Sequence, residues 1–223
     1  MSGIMQMLLG GQIHDPFIAN VVSTQYFNSL TDQQGSTWTL TGSGMSISGG
    51  QLVDPNSAGS GGWATLGFSS ITGDFTLEFD YTCGTNNTTQ WNSTPSYRQN
   101  VCCMGSSEQY YGIAINKTGS IAFWVDGTYV VTTGVVLSFP TGLCRFTIER
   151  SGLNNYLYLN GALIATISPP YKVTFTTLQM GISMTGQSGF QFTADTFDNV
   201  RLTTAARYSG SSYALPAVPY PYS

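Results

Sequence analysis

Two carboxylates in one strand-like segment are the residues best suited to acid–base chemistry. Glu78 and Asp80 stand at i and i+2 in the segment DFTLEFDYT, where apolar and polar residues alternate. A period of two places both carboxylates on the same face of a strand. Glycoside hydrolysis uses two carboxyl groups about 5–9.5 Å apart, a spacing that this pair approaches. Residue type and spacing alone therefore suit a glycosidase pair.

Other catalytic arrangements lack a necessary residue. His14 is the only histidine and precedes the predicted strands, so a Ser-His-Asp or Cys-His set has no base. The same scarcity argues against zinc or iron, and the cysteines show no CxxC spacing. We expect buried free thiols in preference to disulfides at Cys83, Cys102, Cys103 and Cys144. No glycine-rich loop precedes a helix, so no phosphate-binding loop is predicted.

Aromatic residues cluster in or beside a long polar loop, residues 83–97. They are Trp91, Tyr97, Tyr110 and Tyr111. Such rings stack on the apolar faces of sugars, contact other proteins, or only pack within the domain. All three uses stay open, with a protein contact preferred, and the four residues are candidate glycan-binding residues.

The elements that position these residues are antiparallel strands. Asn160-Gly161 between two strand-like runs is a type I′ hairpin signal. It predicts three facing pairs, Leu159 with Ala162, Tyr158 with Leu163 and Leu157 with Ile164. Asp126-Gly127 predicts a second hairpin, and in DFTLEFDYT the residues Phe75, Leu77, Phe79 and Tyr81 form one apolar face. Many short strands without a long amphipathic helix predict an all-β, two-sheet antiparallel sandwich.

Three phrases of the sequence resemble laminin G-like domains of the concanavalin A-like jelly-roll superfamily. They are GDFTLEF (73–79), FTIERSGLNNYLYLNGALIAT (146–166) and DNVRLTTAARY (198–208). The opening residues Asp32, Gly35 and Trp38 and the closing phrase are similar to domains encoded by tailed phages. The resemblance covers roughly residues 21–208 and implies a jelly-roll fold, which hosts lectins, glucanases, adhesion modules and virion proteins.

The resemblance also bears on catalysis and metal binding. Glucanases of this fold carry E-x-D-x-x-E on one strand, but this chain has Cys83 at the third position. We therefore expect Glu78 and Asp80 to lie on a solvated strand face and the protein not to be an enzyme. Related domains often bind calcium, for which Asp195, Asp198 and Asn199 are weak candidates beside the preferred interpretation of a polar turn. No other cofactor is expected.

Composition limits the partners. Charged residues make up only 8% of the chain, the net charge is −4, and no basic run exists, so nucleic-acid binding is not expected. No stretch approaches the roughly 18 apolar residues of a membrane span, and no signal peptide is recognised. A surface rich in Ser, Thr, Asn and Gly suits an assembly or neutral polar partners such as sugars.

The two ends of the chain differ from the domain between them. Residues 1–20 are predicted to be an apolar anchoring arm, 21–208 the jelly-roll domain, and 209–223 an extended Pro/Tyr-rich tail. We expect assembly contacts at Ile4, Met5, Met7, Leu8, Leu9, Pro216, Pro219 and Tyr220.

These features predict a bacteriophage virion protein, a tail, baseplate or fibre component or a capsid decoration. Its expected location is the virion, and its expected partners are other virion proteins and further copies of itself. Host-surface polysaccharide is a further candidate partner. A carbohydrate-binding lectin or adhesion module that works without a virion is the alternative.

Overall fold

The protein is an all-β sandwich of two antiparallel sheets in a computed structural model, as the sequence predicts. The structure describes residues 18–42, 45–54, 62–84, 98–105, 111–116, 118–126, 129–181 and 195–215. A short 3₁₀ helix, Ile18–Asn20, precedes the first strand. The strands are β1 (Val21–Gln25), β2 (Thr39–Thr41), β3 (Ser46–Ser48), β4 (Gln51–Asp54), β5 (Trp63–Ile71), β6 (Phe75–Thr82), β7 (Arg98–Met104), β8 (Tyr111–Asn116), β9 (Ser120–Val125), β10 (Tyr129–Val136), β11 (Cys144–Ser151), β12 (Asn154–Leu159), β13 (Ala162–Ile167), β14 (Phe175–Gly181) and β15 (Asp195–Thr203).

Each sheet joins strands that are distant in the sequence. Sheet 1 has eight strands in the order β13-β12-β11-β6-β15-β4-β3, and β1 pairs with β15. Sheet 2 has seven strands in the order β10-β9-β8-β7-β14-β5-β2. All the strand pairs are antiparallel, as in a jelly roll. Within the part of the chain that the structure describes, no helix is long and apolar enough to cross a membrane.

The apolar face of β6 forms the centre of the core. Phe75, Leu77, Phe79 and Tyr81 are all fully buried, which confirms the alternation predicted from the sequence. Phe79 and Tyr81 pack against Phe146 of β11, with ring centroids 5.6 and 6.1 Å apart. Fully burying such side chains stabilises the fold by roughly 1.5–3 kcal/mol each, so this strand is a main source of the stability of the sandwich.

The predicted Asn160-Gly161 hairpin joins β12 and β13. Asn160 and Gly161 have φ angles of 50° and 80°, as a type I′ turn requires. The pairs Leu159 with Ala162 and Tyr158 with Leu163 are confirmed. The predicted pair of Leu157 with Ile164 is wrong.

A β-bulge explains the difference in register. The register shifts between Leu157 and Tyr158, so that Leu157 pairs with Ala165. Ala165 and Ile167 are therefore turned into the core, where both are buried. The second predicted hairpin, at Asp126, joins β9 and β10 as expected.

Candidate functional site

The carboxylate pair of β6 is buried, and the expectation of a solvated strand face is wrong. Glu78 is fully buried and Asp80 is only 3% exposed. The Tyr208 hydroxyl donates a hydrogen bond to Oε1 of Glu78, and Nε of Arg207 lies 3.7 Å from its Oε2. Residues from the end of the described chain therefore cover Glu78.

Asp80 is held by an arginine on the neighbouring strand. Nε and Nη2 of Arg145 donate to its two carboxylate oxygens at 2.6 and 2.7 Å, which is a bidentate pair. Nδ2 of Asn199 donates to Oδ2 of Asp80 at 2.7 Å. Asn199 reaches this position from a bulge in β15, where its φ is 49°. Because both carboxylates are covered and bonded within the fold, a glycosidic bond cannot reach them, and they do not act as a glycosidase pair.

The covering segment, residues 204–213, is named here the strap. It crosses the outer face of sheet 1 and is anchored by Glu149, whose carboxylate accepts hydrogen bonds from the backbone N–H groups of Arg207, Tyr208 and Ser209 at 2.6–2.7 Å. The rings of Tyr208 and Tyr213 stack with their centroids 3.6 Å apart. Burial, followed by the nearby Glu78 carboxylate, raises the pKa of Tyr208. The strap thus packs as part of the domain, including residues 209–213 that the sequence assigns to the tail.

The weak calcium candidates do not converge on one site. Asp195 points into the core, where it accepts a hydrogen bond from the hydroxyl of Tyr81 at 3.2 Å. Asp198, three residues later, lies on the opposite face of sheet 1, opposite Asp80 in the register. A single ion cannot contact side chains on both faces of a sheet, so the grouping of these residues is wrong. Burial, with a smaller contribution from Asp80, raises the pKa of Asp198 to about 6.

Of the four aromatic residues predicted as glycan contacts, Tyr111 is one for which the prediction is wrong. It is fully buried, and its hydroxyl accepts a hydrogen bond from Nη1 of Arg150 at 3.1 Å. Its ring packs edge-on against Phe75 and Phe175. The sequence suggested that Tyr111 is exposed because it follows a polar segment. Tyr111 is the first residue of β8, however, and its side chain faces the core.

The remaining predicted site residues lie outside the described residues. They are Trp91, Tyr97 and Tyr110 of the glycan set, and Ile4, Met5, Met7, Leu8, Leu9, Pro216, Pro219 and Tyr220 of the assembly set. Their roles stay predictions. The four cysteines are described, and all are buried without forming a disulfide bond. Within the described ranges, no group of three or more His, Cys, Asp or Glu residues is placed to hold a metal ion.

An open cleft at one end of the sandwich is a candidate binding site formed by described residues. It encloses about 430 Å³ and is lined by Val22 of β1, Ser36 before β2, residues 67–71 of β5, and Thr204 after β15. This volume falls within the roughly 300–1,000 Å³ of small-molecule sites. The cleft therefore has the size to take a small polar ligand.

The sequence of β5 explains the lining of the cleft. Phe68 is half-buried, and its ring meets Phe175 edge-on with centroids 5.8 Å apart, which fixes its position. Ser69 and Ser70 are exposed beyond it, whereas Ile71 is buried. The backbone N–H of Thr204 donates to the carbonyl of Asn20 at 2.9 Å and so holds the fourth side of the cleft.

The described lining of the cleft lies where β5 ends, just before β6 begins. It includes none of the residues that the sequence singled out as candidate glycan contacts.

The fold is a two-sheet, antiparallel jelly-roll β-sandwich. No protein-family description matches this chain, and no curated protein does so. Solved structures that it resembles include receptor-binding domains of botulinum neurotoxins.

Three of these structures show the extent of the likeness. The type C structure has a TM-score of 0.63 at 13% identity over 85% of this chain and 49% of that chain, and that toxin depends on interaction with two ganglioside molecules to enter cells. The serotype D/C VPI 5993 binding domain has a TM-score of 0.63 at 12% identity, over 85% of this chain and 50% of that chain. The serotype G binding domain has a TM-score of 0.61 at 15% identity, over 85% of this chain and 49% of that chain. The chain spans about half the length of these structures, and the likeness shows the fold.

Proposed function

We propose that this protein is a non-catalytic carbohydrate-binding module whose site is the cleft beside β5. The observation that carries the proposal is the combination of hydroxyl groups with one fixed aromatic ring. Ser36, Ser69, Ser70 and Thr204 supply the hydroxyls, and Phe68 supplies the ring. A sugar presents hydroxyl groups and apolar C–H faces together, so it matches both kinds of group.

Each part of the cleft has a role in this proposal. A Ser hydroxyl both donates and accepts hydrogen bonds, as sugar hydroxyls do, so either partner can take either role. The hydroxyl of Thr204 already donates to the carbonyl of Asn20 at 3.3 Å, so its role toward a ligand is to accept. The ring of Phe68 offers a flat apolar surface to a sugar face and is already held by Phe175, so little order is lost on binding. The polar groups give orientation, and the ring gives apolar contact.

The structural neighbours support this proposal at the level of the fold. The type C toxin interacts with ganglioside molecules, which are glycolipids, and its receptor-binding domain contains the same kind of sandwich. The burial of Glu78 and Asp80 supports a binding role without catalysis, because the carboxylate pair whose spacing suits glycoside hydrolysis has no access to substrate.

A glycan array followed by isothermal titration calorimetry tests the proposal. Wild type should bind a subset of glycans, and Phe68→Leu, which keeps an apolar side chain but removes the ring, should weaken binding at least tenfold. Ser69→Ala combined with Ser70→Ala should act in the same direction. The matched control is Ser46→Ala with Ser48→Ala, two exposed serines on β3 outside the cleft. The proposal is refuted if wild type binds no glycan, or if the cleft variants bind as tightly as the control.

The virion role predicted from the sequence has a weaker basis. The phage-type phrase DNVRLTTAARY forms the end of β15 and the strap, where Asn199 binds Asp80 and the N–H groups of Arg207 and Tyr208 bind Glu149. These contacts give the residues of the phrase a structural role within the fold. Deleting residues 1–13 separates the two functions: a glycan-binding module keeps its affinity, whereas a virion component fails to join particles.

A further inference from the structure

We infer that the cleft selects uncharged sugars and discriminates against acidic glycans, an inference that rests on the proposed function. The first ground is the lining itself. In the described part of the chain its side chains are hydroxyl-bearing, aromatic or aliphatic, and none is charged. A carboxylate or sulfate entering this cleft exchanges water for hydroxyl groups alone, and burying an unpaired charge is costly.

The second ground is the position of the cations. Five of the seven basic residues have described side chains, and these are Arg145, Arg150, Lys172, Arg201 and Arg207. Three of them are at most 8% exposed, namely Arg145, Arg150 and Arg201. Arginine is the usual partner of carboxylate ligands because its guanidinium binds them bidentately. In this protein the described arginines serve the fold.

The two other cations also have partners inside the protein. The side chain of Arg207 is 13% exposed and lies 3.7 Å from Glu78. The ammonium of Lys172 is exposed but lies 3.6 Å from the carboxylate of Asp74. Neither residue lines the cleft.

The third ground is the charge of the whole chain. A net charge of −4 disfavours the approach of an anionic ligand over distances up to about the Debye length, roughly 8–10 Å at physiological salt. Gangliosides carry acidic sialic acid, so the ligand class inferred here differs from that of the type C toxin. The shared sandwich thus carries a different selectivity.

Matched pairs of glycans that differ only by a terminal sialic acid test this inference with the full chain. Each neutral glycan should bind at least tenfold more tightly than its sialylated partner. Affinity for the neutral glycan should change less than twofold between 50 and 500 mM NaCl, because no ion pair is formed. Phe68→Leu should weaken binding of the neutral glycan, and the control Ser46→Ala with Ser48→Ala should not.

The outcomes separate the inference from the proposed function. Equal or tighter binding of the sialylated partners, with loss of that binding in Phe68→Leu, overturns the selectivity and leaves the carbohydrate-binding function standing. A strong weakening by salt also overturns the selectivity, because it reveals a cation in the site. Absence of binding to every glycan overturns the proposed function itself.

Discussion

Replacing Glu149 by glutamine should loosen the strap. The buried carboxylate accepts three backbone N–H groups, two at Oε2 and one at Oε1, with donor–acceptor distances of 2.6–2.7 Å. Glutamine replaces one of these oxygens by an NH₂ group, which cannot accept, so at least one hydrogen bond to a charged group is lost. Such a bond contributes about 1.5–3 kcal/mol. For a chain of this length, Tm should fall by about 3–12 °C.

Differential scanning calorimetry and amide hydrogen exchange measure the two consequences. In Glu149→Gln the amides of Arg207, Tyr208 and Ser209 should exchange faster than in wild type. The matched control is Asp126→Asn, which removes the same charge at a turn whose φ of 56° asparagine also adopts readily. If the Tm of Glu149→Gln falls no further than that of the control and the three amides exchange at the wild-type rate, Glu149 does not anchor the strap.

Three further changes probe other parts of the fold. In urea unfolding, Gly161→Ala should destabilise the protein more than Gly152→Ala. Both glycines have a positive φ, at which a residue with a Cβ costs roughly 1–2 kcal/mol. At Gly161 an added Cβ would also lie 2.2 Å from the carbonyl oxygen of Tyr213, whereas at Gly152 it would meet no atom within 4 Å. Asp198→Asn should raise Tm at pH 7. The folded pKa of about 6 lies above the ordinary 3.8, so wild type loses stability as pH rises from about 4 to 6 and the variant does not. The gain should stay below about 1 kcal/mol because the group is half-exposed. The four buried cysteines should react with a thiol reagent at pH 8 only after denaturant is added, since burial raises the pKa of Cys83, Cys102 and Cys144.

Local patterns predicted the fold well where a few neighbouring residues decide the structure. The alternation in β6 and the Asn160-Gly161 turn both rest on local backbone chemistry, and both are confirmed. The bulge at Leu157 was not predicted, because the turn sets the register only until an extra residue enters the opposite strand. The expectation that Tyr111 is exposed was wrong for a related reason. Whether a side chain is buried depends on the residues of the opposite sheet that pack against it, and local sequence does not reveal them.

The cleft was missed because no local signal marks it. Its lining comes from four separate segments between Val22 and Thr204, and its hydroxyls belong to residue types that are common throughout this chain. Only the pairing of β1 with β15 brings the two ends of the domain together at this place. A search restricted to unusual residues, such as tryptophans or carboxylate pairs, passes over a site built from serines, a threonine and one phenylalanine.

The carboxylates of sheet 1 show why residue type and spacing do not determine chemistry. Glu78 and Asp80 satisfy the spacing of a glycosidase pair, yet the residue that covers Glu78 comes 130 positions later in the chain. Glu78 and Glu149 bind the protein's own C-terminal strap through hydroxyl and backbone N–H donors, and Asp80 binds Arg145 and Asn199. An exposed carboxylate on this face has the freedom to bind a ligand or transfer a proton. Because the strap covers the face, the same carboxylates instead cross-link neighbouring strands and hold the strap on sheet 1.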